Sequence, residues 1–220
     1  MFQRDYLMRM IHQMSEAMGK IMGLRQQRES KEALELIDEL LDRYFRLNSR
    51  LLESLSPEDI IHLMTRSGNI DYPSLQAIGL LLRERAAICE DEGEEERAAA
   101  LRARALHLFL RCSLDRSGTT AADPDEEAQE LERLLAPYKL PEPLGRHLLR
   151  WHEVNGRLAK AEDLLYELLE DGALEAVEAQ RFYRRLEQLE DEQLEAGGLS
   201  RSEIREATEQ LELQWNQQGV

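Results

Sequence analysis

The stretch GEEERAAALRARAL, from Gly93 to Leu106, decides the fold prediction because of what precedes it. The segment before it, LLLRERAAICEDE, is rich in helix-forming residues and leads directly into Gly93. Glycine tolerates turn conformations that cost other residues energy, and the small Ala98 lets two helices approach closely. The two segments therefore predict an antiparallel helix hairpin.

Two further segments align with this one without gaps: RESKEALELIDELL from Arg28 and GRLAKAEDLLYELL from Gly156. Each has an alanine five residues in, so the shared positions are Ala33, Ala98 and Ala161, separated by 65 and 63 residues. A turn glycine followed by such an alanine resembles the tetratricopeptide repeat, which implies antiparallel hairpins in a right-handed array. The spacings are close to two repeat lengths, so irregular hairpins must lie between them. The alternative is an irregular helical bundle.

Composition indicates the same fold class. The chain has 220 residues, and valine occurs only at Val154, Val177 and Val220. Leu, Ala, Glu, Gln and Arg dominate, and these are strong helix formers. We predict an all-α protein with a single helical-repeat-like domain over residues 1–220. It opens with a Met-rich amphipathic helix over 1–27 and contains an internal loop over 115–123.

A second resemblance covers nearly the whole chain. The segments MFQRDYLMRMIHQM, EALELIDELL, AKAEDLLYELLE and LEAGGLSRSEI are similar to those of an uncharacterised bacterial family of small helical, repeat-like proteins. This resemblance implies the fold and a cytoplasmic setting. It assigns no catalytic role to any residue.

Charge and hydropathy limit the partners. The net charge of −16 disfavours nucleic-acid binding in the absence of a segregated basic patch. No apolar run of about 18 residues occurs, so we expect no membrane contact. Two cysteines, Cys89 and Cys112, do not make a disulfide framework, which favours a cytoplasmic protein with free thiols.

Motifs for chemistry are absent from the sequence. There is no HExxH, CxxC, GxxxxGK[ST], GxGxxG or GxSxG. His147 and His152, being five apart, would point in different directions on a helix. Cys89 lies in an apolar helical context typical of a core thiol. We therefore expect no cofactor, no metal site and no enzymatic activity.

The opening helix carries Met10, Met14, Met18 and Met22 at intervals of four, and the series extends back to Tyr6 and Phe2. Methionine thioethers suit Cu(I), but no Cys or His joins them on that face. Each four-residue step turns the row by about 40° on an ideal helix, so the row forms one packing ridge. Either the row packs in the core of its own chain, or Phe2, Tyr6, Met10 and Met14 contact a partner and are exposed in the monomer.

These observations predict a non-enzymatic scaffold that binds a protein or peptide. The alternative is a self-associating structural protein, possible as a homodimer, that uses the Met-rich helix. An enzyme with an unrecognised site in a helical bundle is a third hypothesis.

Overall fold

The structure is a computed structural model that describes the backbone of residues 2–218 and the side chains of residues 8–211. The described chain is helical almost throughout, so the all-α prediction is confirmed. Within this part of the chain, none of the helices combines the length and the apolarity needed to cross a membrane. The helices are α1 (Phe2–Gln26), α2 (Ser30–Phe45), α3 (Ser49–Ser54), α4 (Pro57–Leu63), α5 (Tyr72–Asp91), α6 (Glu95–Leu114), α7 (Pro124–Leu135), α8 (Glu142–Val154), α9 (Leu158–Glu170), α10 (Ala176–Leu186), α11 (Asp191–Ala196) and α12 (Arg201–Gln218).

One short hairpin interrupts the helices where the sequence SGNIDYP indicates a break. Strand β1 (Thr65–Arg66) pairs antiparallel with β2 (Asn69–Ile70). Ser67 and Gly68 between them both have positive φ, 51° and 80°. Two such residues in succession match the twist of a tight hairpin turn.

Capping chemistry explains several helix starts. The Ser56 hydroxyl accepts a hydrogen bond from the Asp59 amide, and the Asp59 carboxylate accepts one from the Ser56 amide, which completes a capping box at α4. Asp123 caps α7 in a related way by accepting from the amides of Asp125 and Glu126. A further capping box, formed by Glu190 and Gln193, starts the short helix α11.

The chain divides into two compact units, Met1–Leu140 and Pro141–Val220. The boundary falls in the proline-rich stretch YKLPEP, which leads from α7 into the start of α8. The expectation of a single domain over 1–220 stays a prediction.

The first unit is centred on the α5–α6 hairpin. Gly79 lies against the fully buried Phe109, and a Cβ atom at Gly79 would stand 2.8 Å from two carbons of the Phe109 ring. The absence of a side chain at this position therefore sets how closely α5 and α6 approach.

Helix α1 packs against α2 and α5. Met10, Met14 and Met18 are buried, whereas Met22 is 47% exposed. The slant of the row explains the difference, because each step of four residues turns the next side chain further round the helix. The row is a packing ridge over its first three described positions and leaves the core at the fourth.

A buried glutamine holds the loop over residues 115–123, which lies between the end of α6 and the start of α7. Gln76, fully buried in α5, accepts hydrogen bonds from the amides of Thr120 and Ala121, both at 3.0 Å. Its amide nitrogen donates to the Gly118 carbonyl oxygen at 2.7 Å. One side chain thus provides hydrogen-bond partners for loop backbone groups that would be paired internally in a helix.

The turns of the three predicted hairpins share one geometry. The residue at the turn has a left-handed backbone in each, with φ 61° at Arg28, 80° at Gly93 and 69° at Gly156. The next amide in each case bonds to a carbonyl five residues back, as in Glu94 to Cys89 at 2.8 Å. This is the Schellman pattern of helix C-termini. Ala33, Ala98 and Ala161 are all fully buried, as close packing of the following helix requires.

The second unit has its own apolar core, formed by residues of α9 to α12. Phe182 and Tyr183 are fully buried in it, and their rings meet edge to face. Gly197 allows a close backbone approach, since its carbonyl oxygen accepts a hydrogen bond from the Ala159 amide at 3.0 Å. A Cβ atom at Gly197 would stand 2.5 Å from Leu158.

Candidate functional site

The residues predicted to contact a partner lie in α1. The side chains of Phe2 and Tyr6 lie outside the described residues. Met10 and Met14 are buried within the same chain, 3% and 1% exposed. Contact of these two methionines with a partner would require α1 to come away from α2 and α5. The contact at the four residues stays a prediction.

The two thiols lie in the core of the first unit. Burial raises the pKa of Cys112 to about 12, and it also raises that of Cys89. A thiol with a raised pKa stays protonated near neutral pH and is a poor nucleophile. Among the described residues, no group of three or more His, Cys, Asp or Glu side chains has the placement of a metal site.

One opening in the first unit, about 600 Å³ in volume, lies between the end of α1 and the end of α5. Its lining includes Met22, Arg25 and Asp91. Arg25 bonds to Asp91 at 3.0 Å and also meets the buried Glu84. The charge of Arg25 in this opening is therefore engaged by two carboxylates.

A groove in the second unit has a different character. It is about 330 Å³ in volume and is bounded by α8 and α10, with Leu165 of α9 and Leu174 of the α9–α10 connection contributing apolar surface. We call it the arginine groove. Its lining comprises Arg146, Leu149, Arg150, Glu153, Leu165, Leu174, Glu178, Arg181, Phe182 and Arg185.

The two walls present one face of each helix. Helix α8 contributes Arg146, Leu149, Arg150 and Glu153, and α10 contributes positions 178, 181, 182 and 185. Both sets follow the spacing i, i+3, i+4, i+7, which places side chains on one side of a helix. Each wall therefore carries two arginines, one glutamate and one apolar residue.

Two ion pairs connect the walls at their ends. Arg146 Nη1 donates to Glu178 Oε1 at 2.7 Å, and Arg185 Nη2 donates to Glu153 Oε2 at 2.8 Å. Each pair joins residues 32 apart in sequence. Since both contacts advance together along the chain, α8 and α10 run side by side in the same direction, with α9 returning between them.

The ion pairs perturb the charges that they join. The hydrogen bond from Arg146 lowers the pKa of the Glu178 carboxyl, and the same contact raises the pKa of Arg146. The hydrogen bond to Glu153 raises the pKa of Arg185. Arg146 also bonds to Glu142 one turn earlier, at 3.0 Å. The charges of the two ion pairs that join the walls are thus engaged with each other.

Arg150 and Arg181 lie between the two ion pairs, one on each wall. Both are exposed, and neither forms an ion pair with any side chain that the structure describes. Beside them lie Leu149 and the buried Phe182. The middle of the groove therefore combines an apolar surface with two guanidinium groups whose hydrogen-bond donors are available.

None of the groove residues was predicted from the sequence to form a binding site. Arginines interleaved with glutamates usually mark an exposed helix surface. The signal that could have found the groove is the pair of motifs RxxLRxxE in α8 and ExxRFxxR in α10. Each repeats arginine at i and i+4, an arrangement that destabilises an isolated helix by like-charge repulsion.

The fold and the groove together define an all-α protein of helix hairpins with a cleft of about 330 Å³ and no recognisable catalytic constellation among its described residues. The chain belongs to a family of unknown function, DUF6483, whose family model matches residues 1–216. Neither the curated proteins nor the solved structures contain a match to the chain.

Proposed function

We propose that this protein is a non-enzymatic interaction scaffold that binds a segment of another protein in the arginine groove. The observation that carries the proposal is the groove itself, in which apolar side chains lie among two arginines from each wall. Concave sites that combine an apolar surface with a few converging polar groups are the usual form of a binding site.

The order of helices in the second unit supports the same proposal. α8, α9 and α10 follow one another as helix, returning helix and parallel helix, with the walls related by a 32-residue step. A tetratricopeptide-like repeat has a similar period of about 34 residues. Helical repeats present their parallel helices to extended partners, which is the role proposed here.

Site-directed cross-linking in living cells tests the proposal. The photoreactive residue p-benzoylphenylalanine is placed at Leu174, which lines the groove, or at the exposed Gln188, which does not. We expect a discrete adduct from Leu174 that is absent from Gln188. A synthetic peptide with the sequence of the captured segment should block that adduct.

Two outcomes would contradict the proposal: no adduct from the groove position, or equal adducts from both positions. Circular dichroism of each labelled protein checks that the helices are intact. A peptide that fails to compete would identify the adduct as a chance encounter.

A further inference from the structure

We infer that the segment bound in the arginine groove is acidic, with carboxylates placed on both sides of apolar side chains. The inference rests on the proposed function and adds the chemical class of the partner. Three observations support it: the charge distribution of the second unit, the geometry of the two ion pairs and the apolar lining of the groove.

The basic residues of the second unit are concentrated in the groove. Residues 141–220 contain nine Lys and Arg against eighteen Asp and Glu, yet four of those nine basic side chains line this one cleft. The lining has only two carboxylates, Glu153 and Glu178. A cleft with excess positive charge inside an acidic unit attracts anionic groups selectively, because the surrounding surface repels them.

The two ion pairs engage two of the four groove arginines, so the other two are available to a ligand. Arg146 and Arg185 are engaged by Glu178 and Glu153, whereas Arg150 and Arg181 form no ion pair in the described part of the chain. Arg181 acts on Glu178 only through its nearby charge, which helps to lower the pKa of that carboxyl. Arg150 and Arg181 each stand four residues from another arginine of their own wall, so both walls bear like-charge repulsion that Glu153 and Glu178 offset only in part. A ligand carboxylate at each would relieve that repulsion through charge-assisted hydrogen bonds.

The apolar lining selects a peptide over a nucleic acid. Leu149, Leu165, Leu174 and Phe182 offer contacts to aliphatic side chains. Phosphate backbones gain affinity from continuous basic surfaces, but Glu153 and Glu178 interrupt this one. Peptide carboxylates also match the planar fork of the guanidinium group, which can bind them through two hydrogen bonds.

Fluorescence anisotropy with the full chain tests the inference. The probe is a short fluorescein-labelled peptide of alternating Glu and Leu with serine spacers, and the comparison peptide has Gln in place of every Glu. We expect the acidic probe to bind and the neutral peptide to bind at least about tenfold more weakly, as the loss of charged hydrogen bonds implies.

Matched variants separate the groove from net charge. The double change R150Q/R181Q removes two charges inside the groove and should weaken the acidic probe at least about tenfold. R184Q/R205Q removes two exposed arginines outside the groove, so the net charge is the same, and we expect an effect below about twofold. Circular dichroism melting of both variants checks the fold.

The outcomes divide clearly. Equal binding of the acidic and neutral peptides overturns the acidic class while leaving a peptide scaffold in place. Absence of acidic binding, or an equal loss in both double variants, also overturns the inference. Displacement of the probe by single-stranded oligothymidylate would instead indicate a nucleic-acid site. The cross-linking experiment decides independently whether the groove binds a protein at all.

Discussion

Gln76 shows how one buried polar side chain can order a loop. Its oxygen accepts from the amides of Thr120 and Ala121 and its nitrogen donates to Gly118, so its polar atoms are satisfied despite complete burial. Buried polar groups are stable only when paired in this way. The loop over 115–123 consequently depends on a residue about 40 positions earlier in the chain.

Gln76→Leu should destabilise the protein by about 2–4 kcal/mol, because it removes the hydrogen-bond acceptor of the loop amides. Urea denaturation followed by circular dichroism measures the change. The exposed Gln129→Leu in α7 is the matched control and should shift the free energy of unfolding by less than about 0.5 kcal/mol. Equal effects in the two variants would contradict the role given to Gln76.

Arg28 occupies a turn position where the two aligned segments have glycine. Its φ of 61° lies in the left-handed region, and its side chain is exposed. A non-glycine residue in this conformation carries strain of about 1–2 kcal/mol, which glycine avoids. Glycine also makes the unfolded chain more flexible, and this effect cancels part of the gain in stability. The sequence alignment predicted the position of this turn but not that its arginine would adopt the glycine conformation.

Arg28→Gly should therefore stabilise the protein, by about 0.5–1 kcal/mol. The reverse change at the equivalent turn, Gly93→Ala, should destabilise it by about 1–2 kcal/mol. Thermal melts of both variants check the signs. Destabilisation by Arg28→Gly would show that the turn does not have the left-handed geometry described.

At the scale of elements, glycines that lie inside helices have opposite roles. Gly79 in α5 faces Phe109 at a distance that excludes a Cβ atom, while Gly19 in α1 has no heavy atom within 4 Å of that position. The first sets the approach of two helices, and the second only lowers helix propensity.

Gly79→Ala should cost about 1–3 kcal/mol because Phe109 must move within a packed core. Gly19→Ala should stabilise α1 by about 0.5–1 kcal/mol. Chemical denaturation of the two variants provides the comparison. Loss of stability in Gly19→Ala, or none in Gly79→Ala, would contradict the packing described for these helices.

The hairpins were predictable from the sequence, and the groove was not, for one physical reason. Helix ends depend on local chemistry such as Ser56 with Asp59 or the glycine at position 93, which a short window of sequence contains. The groove depends on which face of α8 meets which face of α10. The motifs RxxLRxxE and ExxRFxxR identify one face of each helix. That these two faces meet, through ion pairs between residues 32 apart, depends on how α9 reverses the chain.

At the scale of the whole molecule, the chain comprises two compact units divided at Leu140 and Pro141. The second contains a core of its own built from α9 to α12. About 80 residues with a contiguous apolar core is a size at which isolated domains fold.

A fragment of residues 141–220 should therefore fold by itself. We expect a helical circular dichroism spectrum and a single cooperative thermal transition. A fragment of residues 1–140 provides the comparison for the other unit. A coil-like spectrum of the 141–220 fragment would instead favour the single domain that the sequence predicts.

Hydrogen–deuterium exchange can locate the binding of an acidic protein segment to the arginine groove. The exchange of the full chain is compared with and without the saturating acidic Glu–Leu peptide. We expect slower exchange in α8 and α10, within residues 142–154 and 176–186, with no change in α5 and α6. Protection that is absent from α8 and α10, or confined to residues 1–140, would contradict the proposed binding.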